Sequence, residues 1–228
     1  MAGSIEAYFD SVAEDYDSHK RAGWYQAHGE LVLGLAGELP AGARVLDIGC
    51  GTGHLLRRMA TDQPAIEALG VDLSARMVAV ARATGAAHPG LRFEQMDWES
   101  PGAPARVEGT GFDLVTCLNC AHYFADPVGA FRRMRHALRP GGRLLLLDRA
   151  RDGAPATALL GLLHRHLLRD RVRFHAAGDL ARMVREAGFA EVRIAARVRR
   201  WAWKGKLVTS LAVIQAQASP HTFREDHS

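Results

Sequence analysis

The sequence predicts an α/β protein built on one doubly wound, mostly parallel sheet. Three observations predict this fold class. Short apolar runs that end at polar residues alternate with amphipathic segments of helical length. A glycine-rich stretch, VLDIGCGTGHLL, joins the first of these runs to the next helical segment. With 228 residues, of which 48% are hydrophobic, the chain can bury one large core in a single domain.

The first segments of the chain have helical periodicity. It runs through residues 5–17 and again through 25–39, and Pro40 with Gly42 ends it. We therefore predict a helical lid over residues 1–40 as part of the same domain.

Five apolar runs and the segments between them predict the parallel part of the sheet. The expected strands are 44–48, 66–71, 91–95, 112–118 and 142–147. The expected helices are 54–61, 74–84 and 127–138. Strands buried on both faces, with helices between them, favour parallel pairing through right-handed crossovers.

The last third of the chain departs from this alternation. An insert is expected at 150–176, and its basic part, 164–174, is interpreted as helical or irregular. A helix over 177–187 should end at Gly188. Two further strands, at 191–198 and 207–216, predict an antiparallel pair at the edge of a seven-stranded sheet. The core domain then covers 41–218, and the polar tail 219–228 is expected to be disordered.

Composition favours a soluble, cytoplasmic protein. No apolar run is long enough to span a membrane, and the opening MAGSIEAYFD does not resemble a signal peptide. Three cysteines are too few for a disulfide framework, which favours a reducing compartment.

The net charge of +4 is local. The stretch RVRRWAWKGK (197–206) holds five basic residues and no acidic one, so the rest of the chain is at about −1. We interpret it as an exposed hairpin at the sheet edge, away from the pocket, whose charges discourage edge pairing. A contact patch for RNA, a membrane surface or an acidic carrier protein is the alternative. We expect no nucleic-acid partner and no membrane insertion.

The glycine-rich turn between strand 44–48 and the following helix predicts a ligand. Glycine adopts positive φ without strain and lets a ligand approach the backbone. In open α/β sheets, ligands bind at the carboxyl ends of the strands. A dinucleotide fingerprint would need glycine where His54 stands. A P-loop would need a lysine directly after the glycines, and the lysines lie only at positions 20, 204 and 206.

The pattern that remains, D-x-G-x-G-x-G from Asp47 to Gly53, resembles the class I S-adenosylmethionine (SAM) dependent methyltransferases. Four further stretches match in order, namely GVDLSARMVAVAR, FEQMDWE, FDLVTCLNCAHYFADP and ALRPGGRLLLLD. The opening YFDSVAEDYD is similar to the small-molecule branch of that family. The resemblance covers about residues 8–148 and implies a Rossmann-like fold, SAM as cofactor and S-adenosylhomocysteine (SAH) as product.

The resemblance implies roles for the strand ends. Asp72 would accept the ribose hydroxyls, as acidic residues do in dinucleotide folds, since Ser74 is better placed to cap the next helix. Met77 would cover adenine or pack in the core, and Asp97 would accept the adenine amino proton or stabilise a turn. Trp98 would pack at the rim of the site. The expected cofactor-binding residues are Asp47, Gly49, Cys50, Gly51, Gly53, Asp72, Leu73, Met77, Asp97, Trp98, Asn119 and His122.

Two positions keep alternative roles. Asp47 would contact the methionine end of the cofactor or order the glycine turn by accepting backbone N–H groups. Asn119 stands where this family touches the methionine moiety, often through backbone carbonyls. With Cys120 it departs from the usual run of residues there. Cys117 and Cys120 lack further metal ligands, so we predict no metal site and expect both thiols to pack near the cofactor.

Methyl transfer requires alignment of donor and acceptor, and a base only where the acceptor must lose a proton. His122 is the first candidate base, although hydrogen bonding to the cofactor or helix capping is an alternative. Tyr16 and Asp148 are further catalytic candidates. His164, His166 and His175 are weaker candidates, and an aromatic lid lining is expected from Tyr8, Phe9, Tyr16, His19 and Trp24.

The sequence therefore predicts a SAM-dependent methyltransferase acting on O or N of a small organic acceptor, with secondary metabolites among the candidates. A SAM-binding enzyme that catalyses a displacement or rearrangement without methyl transfer is the alternative. An RNA-modifying methyltransferase is the second alternative. A monomer or homodimer is expected.

Overall fold

The computed structural model describes residues 3–18, 22–103, 107, 111–153, 172–202 and 206–219. The strands are β1 Arg44–Ile48, β2 Glu67–Asp72, β3 Leu91–Gln95, β4 Phe112–Leu118, β5 Leu138–Arg149, β6 Ala190–Ala202 and β7 Lys206–Gln217. The helices are α1 Gly3–Val12, α2 Ala22–Ala36, α3 His54–Asp62, α4 Ala75–Gly85, α5 Pro127–Ala137 and α6 Ala177–Glu186. Among the described residues, no helix combines the length and apolarity needed to cross a bilayer.

The seven strands form one sheet in the order β3-β2-β1-β4-β5-β7-β6. Strands β1 to β5 are parallel, whereas β7 runs antiparallel to both β5 and β6. The predicted α/β fold and the antiparallel pair at the edge are confirmed, with β6 as the outermost strand. The strand order reverses between β1 and β4, and such a reversal opens a crevice at the carboxyl ends of the strands.

Helices cover both faces of the sheet. On one face α2, α3 and α4 contribute Val32, Leu56 and Val78 to an apolar cluster, and on the other α5 and α6 contribute Phe131 and Leu180. The four consecutive leucines of β5 serve both faces, because side chains alternate along a strand. Leu144 and Leu146 belong to the α5 side, and Leu145 and Leu147 to the α2 side.

Two boundaries differ notably from the predicted ones. Helix α1 ends at Val12 rather than at residue 17, because the chain turns so that the Asp17 carboxylate accepts a hydrogen bond from Thr52 Oγ1 at 2.7 Å. Strand β5 begins at Leu138 rather than at 142, because Leu138 pairs with Phe112 before a bulge. Most of the predicted insert 150–176 and of the tail 219–228 lies outside the described residues, as do His19, His164 and His166.

The hairpin of β6 and β7 extends past the sheet on the side where the parallel strands end. Pairing of β5 with β7 stops at Arg149 and Leu211, yet β6 and β7 stay paired as far as Ala202 and Lys206. At the usual rise of a strand, this hairpin continues about 15 Å beyond β5. The described part of the basic stretch therefore belongs to a hairpin at the outer edge of the sheet, as predicted, and that hairpin extends from the end of the sheet that carries the glycine turn. That the stretch lies away from the pocket stays a prediction.

Candidate active site

The glycine turn is tied to the neighbouring strand β2. Backbone N–H groups of Gly49 and Cys50 both donate to the carbonyl of Val71, at 2.9 and 3.0 Å. Gly53 N–H donates to Cys50 O at 2.9 Å and closes the turn before α3 begins. The thiol of Cys50 is buried beneath the turn, and burial raises its pKa. The turn is thus held by backbone hydrogen bonds without a side-chain cap on α3.

The three glycines of the turn all have positive φ, but their surroundings differ. A Cβ on Gly49 (φ 73°) would lie 2.6 Å from Cys120 Sγ, and one on Gly53 (φ 77°) would lie 2.7 Å from the Phe93 ring. A Cβ on Gly51 (φ 54°) would meet no atom within 4 Å. Gly49 and Gly53 are therefore needed for packing, whereas Gly51 borders open space.

This difference predicts separate effects for two alanine substitutions. Gly49→Ala should lower the melting temperature strongly, because it adds a clash with Cys120 to an unfavourable φ. Gly51→Ala should cost only about 1–2 kcal/mol of stability, from φ alone. It should nevertheless weaken SAH binding, since its methyl group enters the space beside the turn. Thermal unfolding with and without SAH measures both effects, and equal melting temperatures for the two variants would contradict this assignment.

Asp72 ends β2 and connects the glycine turn to the start of α4. Its carboxylate accepts hydrogen bonds from Gly51 N–H at 2.8 Å and from Ser74 N–H at 2.9 Å. Burial raises the pKa of Asp72, and the two N–H donors oppose that rise. Ser74 caps α4 by accepting from Met77 N–H at 3.1 Å, as predicted. A carboxylate has about four acceptor positions, so two remain on Asp72 for hydroxyl donors.

Asp47 is buried at the end of β1, with 3% of its surface exposed. Its carboxylate accepts a hydrogen bond from Thr116 Oγ1 on β4 at 2.7 Å. Burial raises the pKa of Asp47 to about 7, the Thr116 hydrogen bond opposes the rise, and the negative charge of Asp72 adds to it. The interpretation that Asp47 orders the turn by accepting backbone N–H groups is wrong, because Val71 and Asp72 accept them.

The raised pKa of Asp47 predicts a pH dependence of stability. Between about pH 4 and pH 7 the folded protein holds a proton on Asp47 that the unfolded chain releases, so the free energy of unfolding falls as the pH rises. The loss is on the order of 4 kcal/mol by pH 8. Asp47→Asn stays neutral in both states, so its stability should match that of the wild type at about pH 4 and exceed it increasingly towards pH 8. Urea unfolding of both proteins across this pH range measures the difference. If their free energies of unfolding change with pH in parallel, the raised pKa of Asp47 is refuted.

The residues expected around adenine range from buried to exposed. Trp98 is 4% exposed and its indole N–H donates to Ala130 O at 3.1 Å, so the prediction that it packs at the rim is wrong. Asp97 is exposed and accepts from Glu99 N–H at 2.9 Å, which stabilises a turn. Met77 is 1% exposed beneath the start of α4. Leu73 is half-buried between Asp72 and Ser74.

The N-terminal segment contacts the starts of both α3 and α4. On α1, the Asp10 carboxylate accepts hydrogen bonds from Ser74 Oγ and from Arg76 N–H at the start of α4. Asp17 accepts from Thr52 Oγ1 and forms an ion pair with Arg57 at 3.0 Å. Sequence reasoning missed both aspartates, because acidic residues in an amphipathic helical segment are typical of solvent-exposed positions.

Tyr16 lies in the turn between α1 and α2. It is half-buried, and its backbone N–H donates to Ala13 O at 3.4 Å. Nearby on α1, the Phe9 ring packs edge-on against Tyr123, with centroids 5.8 Å apart. Of the expected lid lining, Phe9 therefore reaches the loop after β4, whereas Tyr8 is exposed.

His122 and Asp148 form a buried hydrogen-bonded pair at the carboxyl ends of β4 and β5. His122 Nδ1 lies 2.6 Å from Asp148 Oδ1, and the backbone N–H of His122 donates to Asp148 Oδ2 at 2.8 Å. The imidazole packs against Tyr123 and Phe174, at centroid distances of 4.2 and 5.2 Å. The alternative that His122 caps the next helix is wrong, because Asp126 caps α5 by accepting from Gly129 N–H.

Asn119 follows β4 in a left-handed conformation, with φ 53°. Its backbone N–H donates to Leu147 O at 2.8 Å, and its amide Nδ2 lies 3.3 Å from Nδ1 of His28 on α2. His28 is 2% exposed, and the sequence analysis missed it because a single histidine in a helix gives no signal. Cys117 is fully buried and Cys120 partly buried, next to Gly49.

The weaker base candidate His175 is not part of the hydrogen-bonded pair, although it lies close enough for the negative charge of Asp148 to act on it. It forms an isolated bridge with Ala150 after β5, and partial burial lowers its pKa. The described structure therefore brings together Asp47, Gly51, Asp72, Asn119, His122 and Asp148 at one edge of the sheet. It places Trp98 in the core and Asp97 in an exposed turn.

Comparison with known proteins decides the family. A family model described as a methyltransferase domain matches residues 17–194. The chain belongs to the class I SAM-dependent methyltransferase family. The roles that the resemblance assigns to the glycine turn and to Asp72 stay predictions.

Curated relatives of this chain have several different names. It is 35% identical over 191 residues to the uncharacterized methyltransferase YcgJ of Bacillus subtilis, covering 82% of this chain and 67% of that protein. It is 31% identical over 170 residues to demethylmenaquinone methyltransferase of Deinococcus radiodurans, covering 71% and 66%. Ubiquinone biosynthesis O-methyltransferase of Xanthomonas axonopodis is 36% identical over 125 residues, covering 54% and 50%. The chain thus spans about half to two thirds of the length of these relatives.

Solved structures share the fold of this chain at lower identity. YcgJ of Bacillus subtilis superposes with a TM-score of 0.67 and 23% identity, covering 85% of this chain and 99% of that one. The [4+2]-cyclase SpnF superposes with a TM-score of 0.71 and 18% identity, covering 97% and 98%. At such identities the likeness concerns the fold alone.

Proposed function

We propose that this protein binds SAM and transfers its methyl group to an oxygen or nitrogen atom of a small organic acceptor. The observation that carries the proposal is the buried pair of His122 and Asp148. This pair lies at the same edge of the sheet as the glycine turn, one strand away from it. A base in that place is within the reach of an acceptor bound beside the cofactor.

The residues of the crevice fit the cofactor. SAM, when bound, supplies a methyl group on a positively charged sulfur and needs no further activation. Asp72 has acceptor positions left for the ribose hydroxyls. The open space beside Gly51 lets a ligand approach the protein backbone. A buried amide oxygen of Asn119 has no hydrogen-bond partner among the described residues, and a ligand amino group would supply one.

The His122–Asp148 pair is suited to accept a proton from the acceptor. Asp148 Oδ1 accepts the hydrogen from His122 Nδ1, which leaves the lone pair on Nε2 to take a proton. The rings of Tyr123 and Phe174 pack against the imidazole and fix its plane. Arg149 N–H also donates to Asp148, at 2.6 Å, and holds the carboxylate in place. An acceptor hydroxyl or amine would then lose its proton as the methyl group arrives.

The names of two relatives suggest the first acceptors to test. One is called a ubiquinone biosynthesis O-methyltransferase and another a demethylmenaquinone methyltransferase. The edge-on contact of Phe9 with Tyr123 places aromatic rings near His122, which favours a flat aromatic acceptor. Phenols and quinols are therefore the leading acceptor class, followed by aromatic amines.

The test is incubation of the protein with SAM and a panel of these compounds. We expect SAH release that depends on the acceptor, together with an acceptor mass increased by one methylene unit. Conversion of a compound without SAH release would instead favour the non-methylating alternative. Calorimetry that detects no binding of either SAM or SAH would overturn the proposal.

A further inference from the structure

His28 is buried on the lid helix α2, yet it contacts a residue of the crevice. It is 2% exposed, and its Nδ1 lies 3.3 Å from the amide Nδ2 of Asn119. An amide nitrogen only donates hydrogen bonds, so Nδ1 of His28 is the acceptor. The neutral imidazole then carries its proton on Nε2, and the contact fixes which way the Asn119 amide faces.

Asn119 has a backbone conformation that residues with side chains rarely adopt. Its φ of 53° is one of two positive values among the described non-glycine residues. Such conformations persist where surrounding contacts hold them, and they concentrate at functional sites. For Asn119 these contacts are Leu147 O, which accepts its backbone N–H, and His28.

The amide oxygen of Asn119 is an acceptor in need of a donor. It is buried and has no hydrogen-bond partner among the described residues. A buried polar atom without a partner is costly, and in native proteins its partner is commonly a ligand or an ordered water. Because His28 holds the nitrogen side of the amide, the oxygen side remains for that donor.

The position of Asn119 identifies the part of the ligand that would supply this donor. The next residue, Cys120, has its Sγ against the first glycine of the turn, Gly49. Asp72, the proposed ribose partner, lies on the opposite side of β1, at the end of β2. The amide oxygen is therefore on the side of the turn that faces away from the ribose, where the amino acid end of the cofactor would lie.

We propose that His28 is a positioning residue for cofactor recognition. It holds the Asn119 amide so that Oδ1 accepts a hydrogen bond from the amino group of the methionine moiety. This inference rests on the proposed function, because it requires a SAM-type ligand in the crevice. The carboxylate of the methionine moiety is not the partner, since two acceptors repel each other.

A pair of ligands tests this inference by calorimetric titration. SAH carries the amino acid end, and 5′-deoxy-5′-methylthioadenosine has the same adenosine and sulfur without it. We expect His28→Leu to weaken SAH binding about 10-fold, the effect of one lost hydrogen bond to a charged group. Binding of methylthioadenosine should change less than about twofold. His28→Asn, whose amide oxygen can replace Nδ1, should restore most of the SAH affinity.

Further variants separate positioning from general damage to the helix. Asn119→Ala should weaken SAH binding as much as His28→Leu does. The double variant should lose no further SAH affinity, because both substitutions remove the same contact. Val32→Ala, fully buried one turn further along α2, should lower the melting temperature and leave the ratio of the two affinities unchanged.

The outcomes distinguish this inference from the proposed function. If His28→Leu lowers the affinity for both ligands equally, or for neither, the positioning role is wrong while the proposed function stands. Fully additive losses in the double variant would also overturn it. If the wild type binds neither SAH nor methylthioadenosine, the proposed function fails and the inference with it.

Discussion

Asp72→Asn is expected to weaken SAH binding by about 100-fold or more, because hydrogen bonds to a charged carboxylate contribute about 1.5–3 kcal/mol each. The carboxylate accepts from Gly51 N–H and Ser74 N–H and keeps two acceptor positions for the ribose. An asparagine has one oxygen and presents an NH₂ group to one of those backbone donors. The substitution therefore removes the negative charge and disturbs the turn.

Asp113→Asn is the matched control for Asp72→Asn. Asp113 also accepts a backbone N–H, that of Arg44 at 2.8 Å, but at the amino end of the sheet. Both variants should lower the melting temperature of the free protein. Only Asp72→Asn should lose the rise in melting temperature that SAH produces, since that rise follows ligand affinity. Retention of the full rise in Asp72→Asn would exclude Asp72 from the binding site.

His122→Asn is expected to lower kcat by about 10²- to 10⁴-fold with an acceptor that must lose a proton, the range typical for a general base. Asp148→Asn should cause a loss of similar size, because the imidazole would no longer be held with its proton on Nδ1. SAH affinity should remain close to that of the wild type in the first variant, because His122 is assigned to the acceptor.

The two substitutions are expected to be non-additive. His122 and Asp148 act as one unit, so the double variant should be about as slow as the slower single variant. The pH profile gives a second measure, since the acid limb of kcat/KM should disappear with His122. A wild-type kcat in His122→Asn, with the acceptor unchanged, would show that methyl transfer at this site needs no base there.

The sequence was enough to predict the roles of residues whose partners are close neighbours along the chain. The glycine turn was predictable because strand, turn and helix follow one another within residues 44–62, and the spacing excluded other ligands. The Ser74 cap was predictable for the same reason, since its partner Met77 is three residues away. The alternation of apolar runs predicted the parallel sheet. The observed ends of some helices and strands differ from the predicted ones by several residues, because tertiary contacts compete there with local preference.

Roles that depend on distant parts of the chain were missed or misassigned. Trp98 lies three residues after the end of β3, yet its indole donates to Ala130 of α5, a contact that no local pattern indicates. Asp10 and Asp17 belong to the lid and have partners on α4 and α3. His28 and Asn119 are far apart in sequence and meet only because α2 crosses the sheet towards the end of β4.

The sequence by itself determined the fold class, the glycine turn and the strand end at Asp72, because apolar periodicity and backbone preference are local properties of the chain. The tertiary structure alone decided which side chains meet across strands. It paired Asp47 with Thr116, His122 with Asp148 and His28 with Asn119. Strand order and helix packing set these contacts, and burial then set their chemistry, including the raised pKa of Asp47.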